Sequence, residues 1–316
     1  WANAMTEDGS MWVWIPRYAY SITSGYHSSS TGNIDVEFMK GLTNETSTGR
    51  TTFQNASGQG NWNIHPAFNY GQTVSGIWVA KFEASRSNAT SSNAGSNNTI
   101  KIQSGVQSWR SITVNDIYTN CLNYNKTLNS HMMKNDEWGA VAYLSKSKYG
   151  KNAEVDINDD SSYYTGGGSG NAYVNNVGQS TTGTVHGVYD MSGGAYEYVA
   201  AYVNNGNSSL SNGESLVNGD AKTKNVYSKG SSDDRDSNYS ANSGKYGDAV
   251  YETSVNGNSS NSSWYGDDSY FPDTNSPFFL RGAFYGAGTS GGVFYFDYED
   301  GNSFNTYSFR PVLVVL

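Results

Sequence analysis

The chain has 316 residues, enough for one large domain or two ordinary ones, and it combines 25 Tyr, 12 Phe and 8 Trp with 36 Gly. Its net charge of −9 argues against nucleic acid and anionic membrane surfaces as partners, because the negative field of the protein repels both. The single cysteine excludes an internal disulfide framework and a cysteine-based metal cluster, and no run of about twenty apolar residues is present to insert into a membrane.

The N-terminal part is predicted to form strands rich in aromatic residues. Large apolar residues alternate from Met11 to Tyr20, and Pro16 predicts that this strand bends or leaves its sheet. We expect further half-buried strands at Ile64 to Tyr70 and at Gly76 to Ala84. Because the chain begins at Trp1 instead of Met, we expect it to be an excised portion of a longer protein, with any export signal or anchor outside it.

Two segments are predicted to be helices. Thr113 and Asp116 resemble a capping box, and the apolar residues that follow have the spacing of one buried helix face: Val114, Ile117, Tyr118, Cys121 and Leu122. Cys121 is therefore predicted to be a core residue. The second helix begins at Asn135, buries Trp138, Val141 and Ala142, and ends around Lys146, Lys148 and Gly150, with charges that suit the helix dipole.

After residue 150, long stretches of small polar residues separate short strand-like pieces. Four of these stretches are predicted to be loops: Gly166 to Asn171, Asn204 to Asn212, Lys229 to Ser243 and Asn256 to Ser263. No repeated unit of fixed length is present. We therefore expect the strand pieces to pair across the loops, within a single domain of residues 1–316.

The last forty residues, Pro277 to Leu316, alternate between two kinds of sequence. Apolar segments at Phe278 to Leu280, Gly292 to Phe296 and Phe309 to Leu316 are predicted to be strands. Short runs of aromatic, acidic and small residues separate them. The apolar segments have the composition of a scaffold, and the intervening runs have the composition of an interaction surface.

Three motifs, in chain order, carry a family resemblance. They are NDEWGAVAYL at Asn135 to Leu144, GVYDMSGGAYEYVA at Gly187 to Ala200, and a closing pair formed by Leu280 to Gly282 and Ser308 to Val312. Together they resemble the formylglycine-generating-enzyme type of C-type lectin fold over most of residues 11–316. The resemblance implies an α+β fold with two helices, small twisted antiparallel sheets and long irregular loops.

Within that superfamily, residues 277–316 resemble the C-terminal variable region of a variable protein from a diversity-generating retroelement. In that family, adenine-directed mutagenesis changes mostly asparagine codons of a template. The residues that match fixed template positions are Arg281, Gly282, Tyr285, Gly288, Gly292 to Phe296, Gly301 and Ser308 to Pro311. The residues that depart from the template are Ala283, Thr289, Gly291 and Glu299.

The resemblance assigns ligand binding to the positions that match template asparagines. They are Phe284, Gly286, Ala287, Ser290, Asp297, Tyr298, Asp300, Phe304, Asn305, Thr306 and Tyr307. Aromatic side chains there would supply contact area at little rotamer cost, small residues would make room, and aspartates would add charge. The expected protein is a non-enzymatic binder on a bacterial cell surface or a phage virion. Its expected ligand is a protein or glycan on a host or neighbouring cell, and multivalent display or a homo-oligomer would raise its affinity.

Two alternatives stay open. The first is a phage tail protein or bacterial surface adhesin of the same fold with fixed specificity. The second is an enzyme of the formylglycine-generating type, which requires paired active-site cysteines, whereas Cys121 is the only cysteine. The four histidines are widely scattered and favour no metal site: His27, His65, His131 and His186. No cofactor is predicted.

Acidic loops leave a structural calcium site open. Asp156, Asn158 and Asp160 alternate as oxygen ligands do in calcium loops, but the glycine and the distal glutamate of an EF-hand are missing. A second acidic group comprises Asp233, Asp234 and Asp236. For both groups, the alternative to calcium binding is that the side chains are solvated loop acids. Arg281 and Arg310, which flank strands of the closing motif, are predicted to hold a buried hydrogen-bond network that ties the variable loops to the scaffold.

Overall fold

The computed structural model describes residues 1–316 as a mixed α+β structure with four α-helices and several small sheets. The helices are α1 (Val114–Tyr124), α2 (Asn135–Lys146), α3 (Glu214–Val217) and α4 (Arg235–Ala241). The strands are β1 (Asn3–Met5), β2 (Met11–Pro16), β3 (Tyr18–Ser24), β4 (Asn33–Phe38), β5 (Asn63–Ile64), β6 (Gly76–Ala80), β7 (Ser85–Arg86), β8 (Ile100–Lys101), β9 (His131–Met132), β10 (Tyr196–Val203), β11 (Asn225–Tyr227), β12 (Asn258–Ser259), β13 (Ser269–Tyr270), β14 (Phe278–Arg281), β15 (Phe296–Glu299), β16 (Tyr307–Phe309) and β17 (Pro311–Leu313).

Two sheets form the centre of the molecule. The first has the strand order β1-β2-β6-β17-β9, and the second has the order β11-β10-β14-β15-β13-β12. In the second sheet, β10 pairs with β14 in antiparallel fashion and with both β11 and β16 in parallel fashion. The C-terminal residues therefore supply β14, β15 and β16 around β10, and β17 to the first sheet.

The central strands separate two hydrophobic cores. Along β10, Tyr198, Ala200 and Tyr202 belong to one core, and the alternating residues Val199, Ala201 and Val203 belong to the other. This alternation follows from the pleat of a strand, which directs successive side chains to opposite faces. Helix α2 packs into the core that contains Val199, and α1 packs into the core that contains Tyr198. Each face of the sheets is thus covered by one of the two long helices.

Helix α1 forms as its sequence predicts. The Thr113 side chain accepts a hydrogen bond from the amide of Asp116, which caps the first turn. The predicted apolar face is buried at Val114, Ile117, Tyr118 and Cys121, while Leu122 is half-buried. The prediction that Cys121 is a core residue is confirmed, since its side chain is fully buried.

Helix α2 is confirmed at its predicted start, Asn135, and all of its residues are buried. At its N-terminus the Glu137 carboxylate accepts hydrogen bonds from the Lys134 amide and from the His131 ring. At Gly139, an added Cβ atom would lie 2.0 Å from the carbonyl oxygen of Gly247. Glycine is therefore required there for the close approach of another backbone segment.

The predicted effect of Pro16 is also confirmed. Strand β2 ends at Pro16 in the five-stranded sheet, and β3 begins two residues later in a separate sheet with β4 and β5. Proline cannot donate a ladder hydrogen bond, so the chain leaves the first sheet at this residue. Trp14 and Trp78, both half-buried, face each other across β2 and β6 with ring centroids 5.0 Å apart.

Several predictions of local structure were wrong. A 3-10 helix begins at Ser208 within the predicted loop Asn204 to Asn212, and β12 lies within the predicted loop Asn256 to Ser263. The chain has four helices where two were expected, and α4 lies inside the predicted loop Lys229 to Ser243, capped by the Asp234 side chain. The segment Ile64 to Tyr70 contains a short 3-10 helix, Pro66–Phe68, because Pro66 cannot extend a sheet ladder. The segment Gly292 to Phe296 is mostly a turn, and β15 begins where that predicted strand ends.

None of the helices combines the length and the apolar character needed to cross a membrane.

Candidate ligand-binding surface

In the C-terminal residues, burial separates the predicted variable positions from most of the predicted fixed positions. Every predicted variable position is exposed or half-buried, and Phe304 is 57% exposed. Most of the predicted fixed residues are buried, with Tyr285 and Gly288 as exceptions. Strands β16, β10, β14 and β15 lie side by side, so segments that are distant in sequence meet at one end of the sheet.

Six aromatic side chains form a continuous surface at this end of the sheet. Consecutive ring centroids lie 5.0 to 5.8 Å apart along the path from Tyr163 through Tyr285, Phe284, Tyr196 and Tyr307 to Phe304. All six are exposed or half-buried. These residues are called the aromatic surface below: Tyr163, Tyr196, Phe284, Tyr285, Phe304 and Tyr307. Exposed rings in contact with one another are typical of an interaction site.

Arg110 closes the path between the two ends of the aromatic surface. Its guanidinium carbon lies 3.8 Å from the centroid of the Tyr163 ring, and its Nη1 donates a hydrogen bond to the carbonyl of Asn305 at 2.5 Å. Asn305 adjoins Phe304, so Arg110 contacts Tyr163 at one end of the path and the neighbour of Phe304 at the other. The cation stacks on an aromatic face, which is a favourable arrangement for arginine.

Two carboxylates of β15 border the aromatic surface. Asp297 and Glu299 are two residues apart and so point to the same face of the strand. The Tyr295 hydroxyl donates to Asp297, and the Tyr307 hydroxyl donates to Glu299, each at 2.5 Å. Burial raises the pKa of Asp297 to about 6, although the bonds from Tyr295 and the Tyr298 amide oppose the increase. Burial and the neighbouring carboxylates, with Asp297 foremost, raise the pKa of Tyr196 to about 12.

Tyr298 lies on the opposite face of β15 from Asp297. Its ring stacks under Arg235, with the guanidinium carbon 3.8 Å from the centroid, and its hydroxyl accepts a hydrogen bond from Arg235 Nη2. Arg235 also pairs with Asp273 at 3.4 Å. The structure therefore brings Phe284, Phe304 and Tyr307 together but separates Tyr298 from them.

The small variable residues occupy the loop that follows β14. Gly286, Ala287 and Ser290 lie between Phe284 and the buried turn that begins at Gly292. An added Cβ atom at Gly286 would lie 2.9 Å from the Phe284 ring. A larger residue at this position would therefore displace Phe284 or the loop. The remaining variable positions, Asp300 and Thr306, flank the exposed turn that carries Phe304.

Arg281 holds the turn that precedes β15 against the core. Its side chain is fully buried and donates to the carbonyl oxygens of Tyr295, Asp248 and Ala249 and to the side chain of Asn135. Trp138 of α2 donates to the Val293 carbonyl at 2.8 Å. The turn is therefore fixed by polar contacts from both β14 and α2.

Arg310 holds the end of β16 in the same way. Its buried guanidinium donates to Glu197 of β10 and to the carbonyl oxygens of Ala80 and Tyr189. It thereby joins the two central sheets directly below the aromatic surface. The prediction that Arg281 and Arg310 form buried networks that tie the C-terminal loops to the scaffold is confirmed.

The sequence interpretation missed two members of the aromatic surface, Tyr163 and Tyr196, and the adjoining Arg110. All three lie outside residues 277–316, and β-sheet pairing and loop packing bring them into place. Tyr196 pairs with Tyr307 in the register of β10 and β16. No local pattern in the sequence marks Tyr196, because Tyr196 and Tyr198 lie on the same face of β10 and only Tyr198 is buried.

The candidate calcium residues make separate contacts. Asp156 pairs with Lys151 at 2.7 Å, the Asn158 amide donates to Asp190 and to the Tyr164 carbonyl, and Asp160 accepts from the Ser162 amide. In the second acidic group, Asp234 caps α4 and Asp233 accepts from Asn238. The structure contains no group of three or more His, Cys, Asp or Glu side chains arranged to hold a metal ion.

No model of a known protein family matches the chain, and no curated protein matches it either.

Proposed function

We propose that this protein is a non-enzymatic ligand-binding protein, and that the aromatic surface with its neighbouring loops is its binding site. The observation that carries the proposal is the contact between solvent-accessible rings from several segments: Tyr163, Tyr196 and Phe284 are half-buried, and Phe304 is exposed. Tyrosine and phenylalanine rings supply much contact area for few rotatable bonds, and they are enriched where proteins bind partners.

We further propose a C-type lectin fold of the formylglycine-generating-enzyme type, diversified by a retroelement at its C-terminal residues. The separation of buried from exposed residues supports this. Positions that match fixed template residues hold the backbone, as Arg281 and Arg310 do, whereas positions that match asparagines contribute side chains to the surface. Changes at the exposed positions would alter the ligand while the buried networks keep the fold.

The ligand in this proposal is a protein or glycan on a host or neighbouring cell, and the protein is displayed on a bacterial surface or a phage virion. The burial of Cys121 supports a binding role over thiol-dependent catalysis. Burial raises the pKa of its thiol well above the ordinary value, so the reactive thiolate is disfavoured.

Deep sequencing of the coding region in a population of cells tests the diversification. We expect substitutions concentrated at adenines of the codons for the exposed positions between residues 283 and 307. A near-copy of the 3′ coding stretch and a reverse-transcriptase gene are expected nearby. Substitutions spread evenly along the gene, with neither of these neighbours, would instead identify an adhesin or phage tail protein of fixed specificity.

A further inference from the structure

The carboxylate side of the aromatic surface has no cation of its own. No Lys, Arg or His nitrogen lies within 4.0 Å of a carboxylate oxygen of Asp297, Glu299 or Asp300. Arg110 is held by the Tyr163 ring and the Asn305 carbonyl, and Arg235, whose charge lowers the pKa of Asp297, is held by the Tyr298 ring and Asp273. Asp297, Glu299 and Asp300 therefore have no ion-pair partner within the protein.

The hydrogen bonds within the surface leave room for further donors. The Tyr295 and Tyr307 hydroxyls and the amides of Tyr298 and Asp300 each donate to a different carboxylate oxygen of Asp297 and Glu299. A carboxylate oxygen has two lone-pair sites, so each of these oxygens retains one acceptor position. Incoming donors can therefore bind without displacing any contact of the protein.

A neutral partner that covered these carboxylates would bind with a desolvation penalty. Removing a carboxylate from water without an opposite charge is unfavourable, and a partner that supplies a cation removes most of that penalty. Guanidinium fits best, because it stacks on aromatic rings and donates to carboxylates in a planar fork, whereas an ammonium does neither as well.

On these grounds, and on the basis of the ligand-binding function proposed above, we propose that the aromatic surface binds a basic protein segment. An arginine of the partner lies against the rings of Tyr196 and Tyr307 and donates to the carboxylates of Asp297 and Glu299. The exposed Phe304 ring then covers an apolar neighbour of that arginine. The net negative charge of the whole chain accelerates the approach of such a partner.

The probe is a display library of short random peptides, selected on the immobilised protein. We expect arginine to be enriched in the selected peptides. An enriched peptide and its counterpart with citrulline, a neutral side chain of nearly the same shape as arginine, are then compared by fluorescence anisotropy. Citrulline should weaken binding about tenfold or more, and the arginine peptide should bind less tightly as salt is raised.

Two protein variants complete the test. Asp297→Asn with Glu299→Gln should weaken the arginine peptide about tenfold and leave the citrulline peptide nearly unchanged. The matched control is Glu7→Gln with Asp35→Asn, which removes the same charge from two exposed carboxylates that have no salt bridge, and it should change binding less than about twofold. If the first variant fails to fold, the citrulline comparison on the unmodified protein decides the question.

The possible failures are distinguishable. Selected peptides without basic residues, whose binding Phe304→Ala abolishes, would overturn the arginine inference and leave the ligand-binding function in place. Equal affinity for the arginine and citrulline peptides would do the same. A selection that enriches no peptide would also overturn the inference, and the sequencing experiment would then judge the proposed function on its own.

Discussion

Two aromatic residues at predicted variable positions, Phe304 and Tyr298, have different environments. Phe304 projects into solvent from a turn beyond β15 and contacts only the Tyr307 ring among the aromatic residues, at 5.5 Å. Tyr298 instead stacks under Arg235 and bonds to it. The first side chain is available to a partner, whereas the second is already engaged within the protein.

This difference predicts unequal effects on stability. Phe304→Ala should change the free energy of unfolding by less than about 0.5 kcal/mol, as exposed substitutions do. Tyr298→Ala should cost about 1–2 kcal/mol, because it removes a stacked cation and a hydrogen bond. Urea denaturation of both variants measures the difference. Equal losses, or a large loss for Phe304→Ala, would place Phe304 in the core.

A buried carboxyl group makes stability depend on pH. Glu252 is buried, and one of its oxygens accepts hydrogen bonds from Tyr20, Tyr143 and the Gly247 amide, while the other has no partner. Burial raises the pKa of Glu252 from its ordinary 4.5 to about 7. Between these values the folded protein binds a proton that the unfolded chain releases. The contribution of Glu252 to stability is therefore present below about pH 4.5 and lost as pH rises to about 7.

Glu252→Gln tests this assignment, because glutamine keeps an acceptor for the two tyrosine hydroxyls and cannot ionise. Relative to the wild-type protein, the variant should gain about 3 kcal/mol in unfolding free energy between pH 4.5 and pH 7. Denaturation at a series of pH values measures the gain. The exposed control Glu7→Gln should follow the wild-type profile, and a Glu252→Gln profile parallel to wild type would contradict the assigned pKa.

At the scale of elements, the position of α2 depends on Gly139. Glycine is normally unfavourable inside a helix, but here it allows another segment to come close. Gly139 allows the segment at Gly247 and Asp248 to approach the helix backbone. The carbonyl of Asp248 then accepts a hydrogen bond from Arg281, which also fixes the turn before β15. The helix thus supports the aromatic surface through two intermediate contacts.

Gly139→Ala should destabilise the protein although alanine is the better helix former. Helix propensity favours alanine by about 1 kcal/mol, but a Cβ atom 2.0 Å from the Gly247 oxygen forces a backbone shift. We expect a net loss of about 1–3 kcal/mol by thermal or urea unfolding. Thr119→Ala, on the exposed face of α1, is the control and should change stability little. A stabilised Gly139→Ala variant would show that the segments can separate freely.

Elements whose signals are local could be predicted from the sequence. Thr113 caps α1 and Pro16 ends β2 through their own chemistry, so both appear where expected. Helix α4 has a local cap at Asp234 but no apolar stripe, and its small polar neighbours concealed it. The turn at Val293 is apolar because tertiary contacts bury it, and an apolar run alone does not distinguish a buried turn from a strand. The place of Tyr196 in the surface depends on strand pairing with distant residues, which no local pattern encodes.

At the scale of the whole molecule, the two hydrophobic cores are built on the same strands. Strands β2, β6, β10, β14 and β17 contribute residues to both hydrophobic clusters, and Arg310 joins the two central sheets through Glu197, Ala80 and Tyr189. Neither core can lose its strands without exposing the other.

We therefore expect the protein to unfold in a single cooperative transition. Calorimetry should give one peak whose calorimetric enthalpy equals the van't Hoff enthalpy. Arg310→Met should lower the midpoint temperature and keep one peak, since it leaves Glu197 buried without its partner. Two resolved peaks would mean that residues 1–316 comprise two independent units.

The enclosure of Cys121 has a practical consequence for work on this protein. Because the only thiol lies on the buried face of α1, gentle alkylating reagents will leave the folded protein unlabelled. A variant such as Asn305→Cys would then carry one accessible thiol, in the middle of the exposed turn. A fluorophore or spin label attached there would report each capture event from beside the Phe304 ring, with no background from a second attachment point and no need to remove the native cysteine.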